Sequence, residues 1–216
     1  DDYHVRETNS LRVRQQLVAF IENELLPSDL LMVMSPLTPL SELRLTRDHR
    51  QIASAVAGFR GVKYDYRPRN AFEERYAMYS ANVVERVRNQ VTMSALKGLA
   101  VRLGSLREGR KAVLLVSEGF MARLPPQLAD PVASLPGVGN PSRLDPTAGG
   151  GGQSSAELFD QADVLQDLRE VYDAANRHNT AIYALDPRGL AAQEFGIDEN
   201  VNSTADRNLL SQTTDS

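Results

Sequence analysis

Residues 109–120 read GRKAVLLVSEGF, in which a short polar turn enters an unbroken apolar run that stops at Ser-Glu-Gly. The apolar residues from Ala112 to Val116 do not alternate with polar ones, so both faces of a strand formed here should be buried. This pattern is typical of a central strand in a parallel sheet covered by helices on both sides. Ligands of such sheets bind just beyond the carboxyl ends of the strands, which makes Ser117 and Glu118 candidate site residues. The alternative is that Ser-Glu-Gly only forms the turn that ends the strand.

The composition excludes several classes of function. A chain of 216 residues suits one α/β domain or a little more. Its formal net charge of -4 argues against nucleic acid as a partner, because there is no basic excess to neutralise phosphates. The absence of cysteine excludes disulfides and thiolate metal ligands. No apolar run reaches the roughly 18 residues that a membrane span needs.

Two further apolar runs, at residues 30–34 and 181–185, are predicted to be strands that join residues 112–116 in a parallel core. A short edge strand is also predicted at residues 43–45. Apolar residues at helical spacing predict helices at residues 10–25, 47–59, 71–103 and 158–177, with another near 205–212. Residues 60–70 are predicted to form a loop.

This alternation predicts a three-layer, doubly wound α/β fold with a mainly parallel sheet. Residues 1–216 are interpreted as a single domain with an irregular insertion at residues 121–155, where prolines and a glycine run are concentrated. The chain opens directly in a helix and ends in another, so we expect it to be truncated at both ends. Without a central strand, such an excerpt is not expected to fold stably by itself.

Three features of the sequence carry a resemblance to a known family. They are Asp1-Asp2 ahead of a helix, the Gly-Arg-Lys strand that ends in Ser-Glu-Gly, and Ala-Asn-Arg followed by a strand and Leu-Asp-Pro-Arg-Gly-Leu. Together they resemble the bacterial von Willebrand factor type A-related domains, in particular the group common in Acidobacteria. The resemblance implies a metal-ion-dependent adhesion site at the carboxyl edge of the sheet. It also implies a protein-binding module rather than a catalyst, in an extracytoplasmic location, either secreted or periplasmic.

The family's site can be transferred only in part. Its first loop is Asp-x-Ser-x-Ser, whereas Asp1-Asp2-Tyr3-His4-Val5-Arg6 retains acidic residues but lacks both serines. The second-loop threonine corresponds to Thr92, which lies inside a predicted helix. The family's Thr-Asp-Gly appears as Ser117-Glu118-Gly119. The resemblance therefore implies a degenerate site for Mg²⁺ or Mn²⁺, cations that take oxygen ligands. Its metal-binding residues would be Asp1, Asp2, Ser117 and Glu118.

Parallel strands bring their carboxyl ends to one edge, so Asp186, which follows the strand at residues 181–185, should lie near the residues that follow 112–116. Carboxylates gathered in this way repel one another and need a cation, a basic partner or raised pKa values. Two explanations stay open. Either a divalent metal binds them, or an arginine such as Arg6 or Arg188 neutralises them and no metal binds. In both cases a protein partner is expected to dock on the edge formed by Asp1, Asp2, Ser117, Glu118 and Asp186.

The alternative function is an α/β hydrolase-like or nucleotide-binding enzyme. Residues 115–119 half resemble the nucleophile elbow Gly-x-Ser-x-Gly, but Leu115 stands in place of its first glycine. The glycines at 149–152 have no following Lys-Ser or Lys-Thr, so they are not a phosphate-binding loop. The histidines His4, His49 and His178 are scattered along the chain. A deep apolar pocket at the strand ends would favour the enzyme, and a shallow acidic rim would favour the module.

Overall fold

The fold is α/β, with a two-stranded parallel sheet among the residues described. The computed structural model describes residues 1–106, 109–121, 124 and 150–189. Strand β1 (Lys111–Val116) pairs with strand β2 (Thr180–Leu185) in parallel over its full length, from Lys111 opposite Thr180 to Val116 opposite Leu185. The parallel pairing predicted for these two apolar runs is confirmed.

Five α-helices accompany the strands in the described part of the chain. They are α1 (Glu7–Asn23), α2 (His49–Ala57), α3 (Ala71–Glu74), α4 (Ala81–Gly104) and α5 (Gly150–Arg177). A short 3₁₀ helix covers Leu40–Glu42. No helix of the described residues is long and apolar enough to cross a membrane.

The starts of two helices differ from the predicted ones. Helix α1 begins at Glu7, before the predicted start at Ser10, and the Ser10 hydroxyl donates to the carbonyl of Glu7 at 2.6 Å. Helix α2 begins at His49 rather than at residue 47, because the Asp48 carboxylate caps it by accepting a bond from the Gln51 amide at 3.0 Å.

The helix predicted over residues 71–103 is two helices. Asn70 caps the short helix α3 by accepting bonds from the amides of Phe72 and Glu73 at 3.1 and 3.0 Å. The chain then leaves helical geometry before α4 starts at Ala81. Because apolar residues keep helical spacing through both pieces, the periodicity alone could not locate the break.

The strand predicted at residues 30–34 was wrong. Only Leu31 is paired, in an isolated antiparallel bridge with Thr46. The short strand predicted at residues 43–45 does not form either. Met32 and Met34 pack against a cluster containing Leu99, whereas Leu30 and Val33 are exposed. Alternate side chains of the run thus pack against an apolar cluster, and the run does not lie inside a sheet.

The sheet is covered on one face by α4 and α5. Val113 packs against the cluster that contains Leu99, and Leu115 and Ile182 pack against the one that contains Met93 and Val171. On the opposite face, the side chains of Leu114 and Tyr183 are 48% and 59% exposed. We expected both faces of the strand to be buried. Within the described residues, only one face of the strand pair is covered.

The predicted irregular insertion at residues 121–155 was wrong at its end, because α5 already begins at Gly150. This helix is anchored further along, where Ala174 and Ala175 pack on Ala100 of α4, and a helix extends readily from such an anchor. Residues 122–123 and 125–149 lie outside the described part of the chain, as does the helix predicted near residues 205–212.

Candidate functional site

Several of the predicted site residues meet at the carboxyl end of β1. The backbone amide of Glu118 donates to the carbonyl of His4 at 2.8 Å, which places the first residues of the chain beside this strand end. The Ser117 hydroxyl donates to a carboxylate oxygen of Asp1 at 3.0 Å, and the Ser117 amide donates to Leu185 at the end of β2. Asp1, Ser117 and Glu118 therefore share one edge, and Asp186 follows the neighbouring strand.

His4 lies between the strand end and helix α4. Its Nδ1 is 2.8 Å from a carboxylate oxygen of Asp1, and its Nε2 is 2.8 Å from the side-chain oxygen of Asn89. Asn89 in turn donates through its amide nitrogen to the carbonyl of Met121 at 2.9 Å. Burial lowers the pKa of His4 to about 4. Both ring nitrogens are thus engaged inside the protein. The sequence pattern indicates no role for His4, because its partner Asn89 lies 85 residues away along the chain.

Glu118 is the most enclosed carboxylate of the site, with a side chain that is fully buried. Its Oε1 accepts bonds from the Arg6 amide at 2.7 Å and from the Asn9 side chain at 2.8 Å. Its Oε2 accepts a bond from the Lys63 ammonium at 3.3 Å and lies 3.8 Å from the Arg6 guanidinium. A buried carboxylate is stable only when it is paired in this way.

Lys63 is a site residue that the sequence did not predict. It belongs to the loop at residues 60–70, which is held against the start of the chain by two backbone bonds. The Val62 amide donates to Asp2 at 2.8 Å, and the Lys63 amide donates to Val5 at 3.0 Å. The only signal in the sequence was Gly61, because this close approach of two backbones leaves no room for a side chain there.

Asp2 faces a second polar cluster rather than the Glu118 site. Its carboxylate lies 3.6 Å from Arg69, which also donates to the buried Glu73 at 2.7 Å. The Tyr3 hydroxyl donates to the same Glu73 carboxylate at 3.1 Å. Burial acts to raise the pKa of Glu73, but the bonds from Arg69 outweigh it and hold that pKa below its usual range. This cluster helps to hold the loop at residues 60–70 against the start of the chain.

The other positions considered for the site are Asp186, the residues that follow Asp1, and Thr92. Asp186 forms a close ion pair with Arg188 at 2.8 Å, and the bonds from Arg188 hold the pKa of this partly exposed carboxyl below its usual range. Tyr3 and Val5, which alternate with Asp2 and His4 at the start of the chain, are both fully buried. Thr92 is buried in α4, and its hydroxyl makes no hydrogen bond to the described residues.

The donors around these carboxylates do not fit a divalent cation. Mg²⁺ and Mn²⁺ need several oxygen ligands with free lone pairs. Here the Glu118 oxygens already accept bonds from nitrogen donors, and two of the neighbouring groups are themselves cations. Within the described residues, no group of three or more histidine and acidic side chains is placed to hold a metal ion.

The fold and the site together define an α/β protein with a charge-compensated polar cluster at the carboxyl edge of a parallel strand pair. No protein-family model, no curated protein and no solved structure matches the chain. The resemblance to von Willebrand factor type A-related domains therefore stays a prediction from the sequence.

Proposed function

We propose that this chain is a non-catalytic protein-binding module, related to von Willebrand factor type A domains, that contacts its partner through the carboxyl edge of its sheet. An extracytoplasmic location goes with this proposal. The observation that carries it is the engagement of every candidate reactive group at this edge by another group of the chain. Such a site is built to hold a fixed surface and not to transform a substrate.

The arrangement of Ser117 disfavours the hydrolase alternative. A serine nucleophile needs a base that accepts its proton, and in most hydrolases that base is histidine. Here the Ser117 hydroxyl donates to Asp1, and it also accepts a bond from the Gly119 amide at 3.2 Å. His4 contacts the same Asp1 carboxylate and Asn89, so neither of its nitrogens serves Ser117.

The accessible part of the edge has the composition of a protein-contact surface. The ion pair Asp186–Arg188 is partly exposed there. Tyr64 has a backbone φ of 69°, which is strained for a residue other than glycine, and its ring lies 5.3 Å from the Lys63 ammonium. Tyrosine and arginine are enriched among the residues that dominate binding at protein interfaces.

The position of a groove among the described residues also favours a module. An open groove of about 400 Å³ lies away from the strand ends, between residues 36–40, Phe72 and α4. An enzyme of this fold class would place its pocket beside Ser117, at the carboxyl end of the strands.

We also propose the finer fold, a three-layer, doubly wound sheet. The Lys111 amide donates to Asn179, just before β2, and the Ser117 amide donates to Leu185 at its end. The alternate amides of residues 112, 114 and 116 therefore point to the other edge of β1. A parallel pair with such an edge and a bare apolar face is not a stable sheet by itself. In the full-length protein, these three amides should exchange slowly with solvent deuterium. Exchange as fast as in a loop would contradict the proposal.

The functional proposal is tested by site-specific photo-crosslinking in the full-length protein. A photoreactive residue at Arg188 should crosslink to one protein partner, and the same residue at Leu165 on the exposed face of α5 should not. Asp186→Lys should abolish the crosslink, since it reverses the charge at the edge. Equal crosslinking from both positions would contradict the proposal, and so would hydrolysis of a p-nitrophenyl ester that Ser117→Ala abolishes.

A further inference from the structure

The carboxyl edge carries its own counter-charges. Every carboxylate of the predicted site faces a nitrogen-bearing side chain of the same chain. The charged pairs are Asp2 with Arg69, Glu118 with Lys63 and Arg6, and Asp186 with Arg188. Asp1 faces His4, whose lowered pKa leaves the ring neutral near pH 7. At Glu118, Asp2 and Asp186 the carboxylate charge is therefore already compensated by cations of the chain itself.

Lys63 differs from the other partners because its side chain is only 3% exposed. A lysine ammonium is rarely enclosed unless a carboxylate neutralises it, and the neutralising group here is the fully buried Glu118. The backbone bonds of residues 62 and 63 to Asp2 and Val5 fix the loop that carries it. The ring of Tyr64 lies 5.3 Å from the ammonium, a geometry that adds a cation–π attraction.

The position of the ammonium excludes a metal ion from Glu118. The two bonds to Oε1 use the lone pairs of that oxygen, and the ammonium lies against Oε2, the oxygen left for a further ligand. A divalent ion that bound Oε2 would meet the charges of both Lys63 and Arg6 at short range.

We propose that the Lys63 ammonium is the resident cation of this edge, in the place that a divalent ion would need in order to bind Glu118. The edge then contacts its partner without Mg²⁺ or Mn²⁺. Contact with a partner rests on the function proposed above, whereas the exclusion of a metal ion from Glu118 does not.

The exclusion is tested by titrating the full-length protein with Mn²⁺, using calorimetry and electron paramagnetic resonance, and with Mg²⁺ by calorimetry. We expect no sub-millimolar site that involves Glu118, and we expect Tm to be the same in Mg²⁺ and in a chelator. A sub-millimolar site in the unaltered protein that Glu118→Gln abolishes would overturn the proposal.

The role of Lys63 is tested by its coupling to Glu118. Lys63→Met keeps the apolar stem but leaves Glu118 without its ammonium, and Tm should fall by roughly 5–10 °C. Lys63→Arg, which keeps the charge, should retain more of the stability. In a Glu118→Gln background the further loss from Lys63→Met should be much smaller. If Lys63→Met does not fold at all, recovery of folding in the double variant supports the pairing equally. Equal losses in both backgrounds would overturn it.

These measurements separate the two proposals. Metal titration and the double-variant comparison need no partner, so they address the resident cation alone. Crosslinking from Arg188 in the presence of a chelator addresses the binding function. Crosslinking that survives the chelator is expected, and crosslinking that requires Mg²⁺ would overturn the metal-free edge while leaving the binding module intact.

Discussion

Replacing Arg88 with methionine is expected to lower the free energy of unfolding by about 3–5 kcal/mol, because it breaks a buried charge network. The side chains of Arg88 and Glu85 are 1% and 2% exposed, and they lie 3.7 Å apart. The guanidinium donates to the carbonyls of Val62 and Asp65 at 3.3 and 2.6 Å. Methionine would leave Glu85 without its counter-charge and would remove the guanidinium bonds to both carbonyls, of which Val62 keeps only the bond from the Asp65 amide. Denaturant unfolding of the full-length protein measures the loss.

Two matched variants separate this network from a general effect of mutating α4. Arg88→Lys keeps the charge but loses the planar group that packs over Tyr3 and Tyr66 at 5.0 and 5.1 Å. We therefore expect it to recover only part of the loss. Arg86→Met changes an exposed arginine on the same helix and should shift stability by less than about 1 kcal/mol. A loss for Arg88→Met as small as that for Arg86→Met would show that the network contributes little.

The strands β1 and β2 could be predicted because each is a continuous apolar run that ends at a polar turn. Residues 30–34 have the same local pattern, yet only Leu31 is paired there. The difference between these segments lies in their tertiary contacts. β1 and β2 hydrogen-bond to each other while one face packs on helices, whereas Met32 and Met34 pack against the cluster that contains Leu99 and belong to no strand. A local pattern records that a segment is apolar, but it does not record which surface covers it.

The position of the site could be predicted in part, and its internal partners could not. Ser117 and Glu118 follow β1, and Asp186 follows the neighbouring β2, so parallel pairing alone places them at one edge. Their partners are distant in sequence. Lys63 is 55 residues from Glu118, and Asn89 is 85 residues from His4. The loop at residues 60–70 has no periodicity that would show where it docks. Only the folded backbone brings its lysine to the strand end.

Gly61→Ala is expected to destabilise the protein by about 3 kcal/mol, because it forces apart the two backbones that form the site. A Cβ added at Gly61 would lie 2.2 Å from the carbonyl oxygen of Val5 and 2.7 Å from its carbonyl carbon. These are backbone atoms, so a change of side-chain rotamer cannot relieve the clash. The bonds of the next two residues to Asp2 and Val5 would then weaken, and Lys63 would move away from Glu118.

The control for this substitution is Gly58→Ala, three positions earlier at the end of α2. Its backbone φ of -83° is ordinary for any residue, and an added Cβ would come no closer than 3.4 Å to the Ala55 carbonyl. Alanine there should be neutral or slightly stabilising, since it also lowers the entropy of the unfolded chain. Denaturant unfolding of both variants provides the comparison. If Gly61→Ala cost no more than Gly58→Ala, the loop would not be held against residues 2–5, and the placement of Lys63 beside Glu118 would lose its basis.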